Sequence, residues 1–272
     1  MLNKNINLNE KSMHKLSTKG LAREHLKTQL GDDLDFILEL WQSQGLDIKK
    51  HHGNYFFATK FLKIEDAEFC IVDIETNGSK IEKHQIIEIA ALKIKNNKVI
   101  GRFDTLVNTK EINIHITEIT GIKAEDTKDA PNLKQVLYKF KEFLGDAVFI
   151  AHDVKFDFNF ISASMQKIGL PPLLNRSLCS LHLAQRTIES YRYSLSYLNE
   201  FFNLYPDATH HRAMSDVLTT YELFKLCLKN IDNDVKTVED LIKFSKHAKM
   251  LKRPKLDPLY KLEEEKKSEK EK

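Results

Sequence analysis

Phe69-Cys70-Ile71-Val72-Asp73-Ile74-Glu75-Thr76-Asn77-Gly78 decides the fold. The run from Phe69 to Ile74 is densely apolar and rich in β-branched residues, which marks a buried central strand. Asp73 and Glu75 stand at i and i+2, so in a strand both carboxylates point to one face. Two like charges on an interior strand are costly unless something positive neutralises them. A divalent cation does that directly. For a lone D-x-E, solvated acids at an exposed strand end are the ordinary explanation, so the rest of the chain has to decide.

Downstream, Ile86–Lys95 and Val99–Val107 read as strands joined by a turn at Lys95-Asn96-Asn97-Lys98. Pro131–Leu144 reads as a helix carrying Leu133, Val136, Leu137, Phe140 and Leu144, and Ala147–Ala151 as a short buried strand. Val154–Ile168 reads as a helix stopped by Gly169-Leu170-Pro171-Pro172, followed by helices over Leu181–Ile188, Leu195–Phe202 and Ala213–Lys229. Strand, hairpin and strand, then alternating helix and strand, give an α/β fold: a mixed sheet flanked by helices.

Three more residues complete the acidic set. Asp157 falls near the start of the helix that follows the apolar strand Val148-Phe149-Ile150. There it can converge with the strand carboxylates, or be a first-turn acid favoured by the helix dipole. Asp153 reads as the cap of that helix. His211 and Asp216 are five apart, which on a continuous helix splays them by roughly 140°, at ~100° per residue. Asp216 therefore belongs to a helix and His211 to a mobile lead-in, an arrangement that suits a metal ligand paired with a base. In isolation, an H-x4-D pair reads as a surface histidine beside His210. Oxygen ligands without a Cys or His cluster select hard ions, Mg²⁺ or Mn²⁺. Two such ions ~3.5–4 Å apart can clamp a phosphodiester. A neutral imidazole can accept the attacking water's proton.

The remaining chain divides by composition into residues 1–15, a polar and frayed start; 16–65, a small module; 66–231, the mixed-sheet domain; 232–260, a helical extension; and 261–272, a disordered charged tail. In the module, Leu34, Ile37, Leu38 and Trp41 recur at helical spacing, preceded by Asp32-Asp33 as capping material. An earlier helix over Leu21–Leu30 and a hairpin turning at residues 51–54 complete a helix–helix–hairpin unit, winged-helix-like or a plain docking module. Asp35 and Glu39 on the second helix argue against DNA recognition there. In the extension, Thr237 and Asp240 form a capping-box pattern. Lys243, Lys246, Lys249, Lys252 and Arg253 fit a phosphate track or a solvated helix face. Tyr191, Tyr193 and Tyr197 fit core packing better than base stacking.

With 42% apolar and 30% charged residues, the 272-residue chain can bury a sizeable core. Its net charge of +3 supplies no bulk attraction for nucleic acid, so an anionic partner must be met locally. Cys70, Cys179 and Cys227 are scattered and form no zinc or disulfide framework. No secretory leader or membrane span is legible, which points to a cytoplasmic protein without a membrane partner.

In combination, three motifs resemble the DnaQ-like DEDDh 3′–5′ exonucleases, the family of the proofreading (epsilon) subunit of bacterial DNA polymerase III. D-x-E-T matches Asp73-Ile74-Glu75-Thr76, A-H-N-x-x-F-D matches Ala151-His152-Asp153-Val154-Lys155-Phe156-Asp157, and H-R-A-x-x-D matches His211-Arg212-Ala213-Met214-Ser215-Asp216. The family's I-T-G-I element appears as Ile119-Thr120-Gly121-Ile122. The likeness spans about Phe69–Leu228 and leaves the first sixty-odd residues and the tail unaccounted for. It implies a ribonuclease-H-like fold, with Asp73, Glu75, Asp157 and Asp216 as ligands of two Mg²⁺ ions (Mn²⁺ substituting) and His211 as general base. It also implies that Thr76, Thr120, Gly121 and Ile122 contact the terminal nucleotide. The implied partners are a single-stranded or frayed DNA 3′ end and a DNA polymerase or other replisome component. Exoribonuclease activity on RNA 3′ ends, or a noncatalytic nucleic-acid-binding or polymerase-binding module, are the alternatives. Two departures stand out: Asp153 replaces the usual Asn, and Thr76-Asn77-Gly78 replaces T-T-G.

Overall fold

The computed structural model describes residues 6, 8–209 and 211–260; the charged tail expected over 261–272 lies outside them. The N-terminal part contains α1 (Glu10–Ser17), β1 (Leu21–Ala22), α2 (Arg23–Leu30), α3 (Leu34–Ser43), β2 (Ile48–His51) and β3 (Asn54–Phe57). Its strands form an antiparallel sheet in the order β1-β3-β2. Leu8, Leu16, Leu26, Leu34, Trp41, Tyr55 and Phe57 share one core with Leu174.

Several expectations need correction here. Residues 10–15, expected to be frayed, lie in α1, whose first turn is capped by the Asn9 side chain on the Ser12 N–H. The helix expected over Leu21–Leu30 gives up its first two residues to β1, because Leu21 and Ala22 pair with Tyr55 and Asn54. Asp33 occupies the cap position of α3, but its side chain makes no capping hydrogen bond.

The larger sheet has the order β6-β5-β4-β7-β8, with β4 (Glu68–Thr76), β5 (Ile86–Lys95), β6 (Lys98–Leu106), β7 (Val148–Ala151) and β8 (Ser177–Cys179). β4, β5 and β6 pair antiparallel, whereas β7 and β8 run parallel to β4. Its helices are α4 (Ile114–Thr120), α5 (Ala124–Thr127), α6 (Leu133–Leu144), α7 (Val154–Lys167), α8 (Ser180–Thr187), α9 (Leu195–Phe202), α10 (Ala213–Lys229) and α11 (Val238–His247). The short elements α4, α5 and β8 were not legible in the sequence; each is too brief to show a period. The expected capping box is present: the Thr237 hydroxyl accepts from the Asp240 N–H and the Asp240 carboxylate accepts from the Thr237 N–H.

Alternation along β4 builds two cores. Phe69 and Ile71 pack with Val217, Leu223 and Phe224 of α10, while Cys70, Val72 and Ile74 pack with Phe140 of α6 and Phe158 and Ile161 of α7. Cys70, Cys179 and Cys227 are free and buried. Phe224 sits at the centre of the first core, its ring 5.2 Å from that of Phe69. Phe224→Ala is expected to cost about 3–5 kcal/mol, the usual range for emptying a buried aromatic site. Urea denaturation checks this: the midpoint should fall with the slope unchanged.

The N-terminal part is seated on the larger sheet through Arg176. Its guanidinium lies 4.2 Å over the Phe57 ring and pairs with the carboxylate of Glu239 in α11. The Thr59 hydroxyl donates to the same carboxylate at 2.8 Å. Among the described residues, no helix is long and apolar enough to cross a membrane.

Candidate active site

Because side chains alternate, Asp73 and Glu75 continue the row begun by Phe69 and Ile71 and face the α10 side of the sheet. Asp157 reaches the same strand from α7 on the other face. Its Oδ1 accepts from the Ile74 N–H at 3.3 Å, between the two strand acids, and the residue is only 4% exposed. Asp216 lies in the first turn of α10. As the five-residue spacing required, His211 falls outside the helix, exposed and at φ 63°. The His211 backbone N–H donates to Asp216 Oδ2 at 3.2 Å and closes the lead-in onto the helix start.

The electrostatics are those of a site built for a positive guest. Burial raises the Asp73 carboxyl well above its usual range, and Asp157, Asp216, Glu75 and Glu88 push in the same direction. Glu75 is pushed up to about 8, mainly by burial and then by Asp216 and Glu88, against the opposing charge of Arg212. Asp157 is pushed up to about 8 by burial, with Asp153 and Glu75 adding to the rise and the Ile74 N–H opposing it. One ligand atom each of Glu75, His211 and Asp216 lie within 4.8 Å of one another. Asp73 and Asp157 are outside that trio and are tied to it by mutual repulsion and by the Ile74 hydrogen bond. Close, oxygen-rich, mutually repelling donors fit a hard divalent cation.

The expected substrate contacts have local work in this structure. Thr76 is buried, and its hydroxyl donates to the Gly78 carbonyl at 3.0 Å. Gly78 has φ 152°, and a Cβ there would meet the His84 ring at 2.5 Å, so the turn requires glycine. Asn77, at the departure from T-T-G, bridges the turn: its side chain accepts from the Gln85 N–H and donates to the Glu111 carbonyl. Thr120 donates to the Ile116 carbonyl and accepts from the Ile122 N–H, while Gly121, at φ 72°, ends α4. Among the described residues no hydrogen bond links Thr120, Gly121 or Ile122 to the carboxylates.

Asp153 occupies the N-cap position of α7, as expected, but its side chain makes no capping hydrogen bond. It adopts the left-handed conformation at φ 64°, which Asn and Asp tolerate far better than most residues. The position therefore selects for backbone conformation, which accounts for Asp standing where Asn is usual. His152, one residue earlier, is held by Ser180 Oγ at 3.0 Å and by the Tyr193 carbonyl at 2.8 Å. Burial holds its imidazole below the ordinary range, so the ring is neutral and its Nε2 donates to that carbonyl.

Sequence reasoning missed Glu88 and Arg212. Glu88 lies opposite Glu75 in the β4–β5 ladder and is nearly inaccessible. It accepts from Arg212 Nη2 at 2.7 Å, from Arg212 Nε and from the Ala213 N–H at 2.9 Å. These bonds pin the start of α10, and with it the residues flanking His211 and Asp216. The signal was available: an acid inside Ile86-Ile87-Glu88-Ile89-Ala90-Ala91 is as anomalous as Asp73.

Residues 70–224 match the exonuclease family RNase_T. A DNA polymerase III of PolC type from Caldanaerobacter subterraneus subsp. tengcongensis is 38% identical over 179 residues, 65% of this chain; the match spans 13% of that relative's length. Among solved structures, exonuclease X in complex with 5′-overhanging duplex DNA superposes with a TM-score of 0.52 at 23% identity, covering 65% of this chain and 99% of that one. E. coli exonuclease I in complex with a dT13 oligonucleotide gives 0.55 at 16% identity, covering 61% and 42%. These structural likenesses establish a shared ribonuclease-H-like fold, and the family match over more than half of the sequence, on the motifs that build this site, makes the chain a member of the exonuclease family.

Proposed function

We propose that this chain removes nucleoside monophosphates from DNA 3′ ends, in proofreading or repair. The observation that carries the reading is the convergence of Glu75, His211 and Asp216 beside the buried, repelling Asp73 and Asp157. In this reading Asp73, Glu75, Asp157 and Asp216 hold two Mg²⁺ ions, with Mn²⁺ able to substitute. When bound, the ions supply Lewis-acid charge at the scissile phosphate. His211 accepts the proton of the attacking water, and its place on a lead-in outside α10 lets the ring move over the reacting phosphorus without disturbing Asp216. Thr76 and the Thr120–Ile122 turn border the terminal nucleotide. Glu88 and Arg212 hold the start of α10 in place. The PolC-type relative is a polymerase by name, which favours proofreading and makes a DNA polymerase the partner to test.

A time course on 3′-labelled and 5′-labelled single- and double-stranded DNA, beside RNA of the same sequence, tests this. Mononucleotides should appear first from the 3′ label, more readily from single-stranded or frayed DNA than from RNA. EDTA should abolish the reaction, and Mg²⁺ or Mn²⁺ should restore it. Release from the 5′ end, activity in chelator, or preference for RNA would each overturn the corresponding part of the assignment.

A further inference from the structure

We propose that residues 243–255 form a nucleic-acid-binding track that carries the phosphate backbone of a strand whose end lies in the active site; this rests on the exonuclease reading above. The segment contains Lys243, Lys246, Lys249, Lys252, Arg253 and Lys255, and no acid. Subtracting these six charges from the chain's net +3 leaves the rest of the molecule at −3. The net positive excess of an otherwise acidic protein is therefore carried by one segment, where it can bind a polyanion that the bulk would repel. A solvated helix face has no need of such segregation.

The structure fixes this segment and leaves most of its charges outward. After α11 the chain crosses α8 as an irregular strap. Arg186 Nε donates to the Ala248 carbonyl at 2.8 Å and Arg186 Nη2 to the Lys246 carbonyl at 3.1 Å. The Leu251 N–H donates to the Gln185 carbonyl at 2.9 Å. At the far end, the Tyr197 hydroxyl donates to Asp257 Oδ1 at 2.6 Å. All six residues are exposed, and among the described residues no salt bridge engages any of them; Lys246 is the least open of them, its ammonium held below the ordinary range by burial and by the neighbouring charge of Arg176. Met250 and Leu251 are exposed beside them, giving apolar surface on which bases can rest between the phosphates.

The strap also leads to the catalytic end of the sheet. The Arg253 guanidinium lies 5.2 Å over the Tyr193 ring, and the Tyr193 carbonyl is the acceptor that holds His152. His152 immediately precedes Asp153 and the helix that carries Asp157. The cationic surface also broadens towards α7. Burial and then the charges of Arg186, Lys155 and Lys246, against that of Asp153, hold the His182 imidazole low, so cations from α7, α8 and α11 lie near one ring.

The test uses Lys249→Ala/Lys252→Ala/Lys255→Ala in the full chain. Binding of a ~20-nucleotide single strand should weaken tenfold or more at low salt. The slope of log affinity against log salt should fall by about 2, at ~0.7 for each phosphate that is no longer neutralised. Binding is measured by fluorescence anisotropy in an Asp157→Asn background, so that the strand stays intact. In the nuclease-competent background, KM for the long strand should rise, while hydrolysis of thymidine 5′-(p-nitrophenyl phosphate), too short to reach the strap, is unchanged. Replacing the same three residues by Arg should restore the parent slope. An unchanged salt slope, or equal losses on the long and the short substrate, would overturn the track. Hydrolysis of oligonucleotides by the parent chain reports on the exonuclease reading separately.

Discussion

Asp157→Asn is expected to reduce oligonucleotide hydrolysis to background while raising the melting temperature of the metal-free protein at pH 8. The substitution keeps the shape of the side chain and an acceptor for the Ile74 N–H, so it removes charge and little else. Losing a carboxylate that holds a cation in a buried site should exceed the ~10²–10³-fold typical of losing one electrostatic stabiliser. The stability effect has the opposite sign. Asp157 and Glu75 are pushed up to about 8 in the folded protein, against roughly 4 for free carboxyls. Between those values the folded state holds more protons than the unfolded one, so metal-free stability is full below the lower value and is lost as pH rises through the upper. Asp73 is raised too, and Asn at position 157 removes one of the three contributors. Mg²⁺ should raise the melting temperature of the parent more at pH 8 than at pH 5, because ligands must shed protons to bind it. It should stabilise the variant far less. Calorimetry with and without Mg²⁺, together with a gel assay, reads both effects. Hydrolysis close to the parent's would remove Asp157 from the site, and a metal-free melting curve unchanged between pH 5 and 8 would contradict a buried, repelling cluster.

The cluster was legible in the sequence because burying charge is expensive enough to leave a local trace. An acid inside Phe69–Ile74 is anomalous enough to notice, the two-residue strand period by itself assigns Asp73 and Glu75 to one face, and the motifs downstream were needed to set aside solvated acids at a strand end. Helical geometry likewise placed His211 outside the helix of Asp216, as found. What failed to show were features whose determinants are distant in sequence. β1 is a strand only because Leu21 and Ala22 meet Tyr55 and Asn54, pairings that override the helical pattern continuing into α2. The Glu88–Arg212 pair joins residues 124 positions apart, and although Glu88 was locally anomalous, nothing nearby named its partner. Asp153 stands at the expected cap position, but capping preference and left-handed preference favour the same residue types, and only the backbone angle shows that the second is at work. The basic residues after α11 were equally ambiguous in one dimension. The hydrogen bonds from Arg186 to the Ala248 and Lys246 carbonyls, and from the Leu251 N–H to the Gln185 carbonyl, turn the backbone of this segment inward and leave most of its charges facing out.

His211→Ala should lower kcat by ~10²–10⁴, the range for losing a general base, with KM for the oligonucleotide and the Mg²⁺ concentration for half-maximal rate close to the parent values. The geometry makes this measurement necessary, because the His211 ring lies with Glu75 and Asp216 in one group of potential ligand atoms and so allows two roles. A ligand would be a fixed part of the cation's shell, and its removal would weaken metal binding and be offset by more metal. A base acts on the water and leaves metal affinity to the carboxylates, so excess Mg²⁺ cannot offset its loss. The surroundings favour the base: His211 is exposed, stands outside α10, and is tied to Asp216 by its backbone N–H, which leaves the imidazole free of that bond. Added imidazole should then recover part of the lost rate in His211→Ala and none in Asp157→Asn, because a small base can replace a proton acceptor but cannot replace a buried carboxylate. Recovery of His211→Ala by saturating Mg²⁺ alone would make His211 a ligand, and the proton would then have to leave the attacking water by another route.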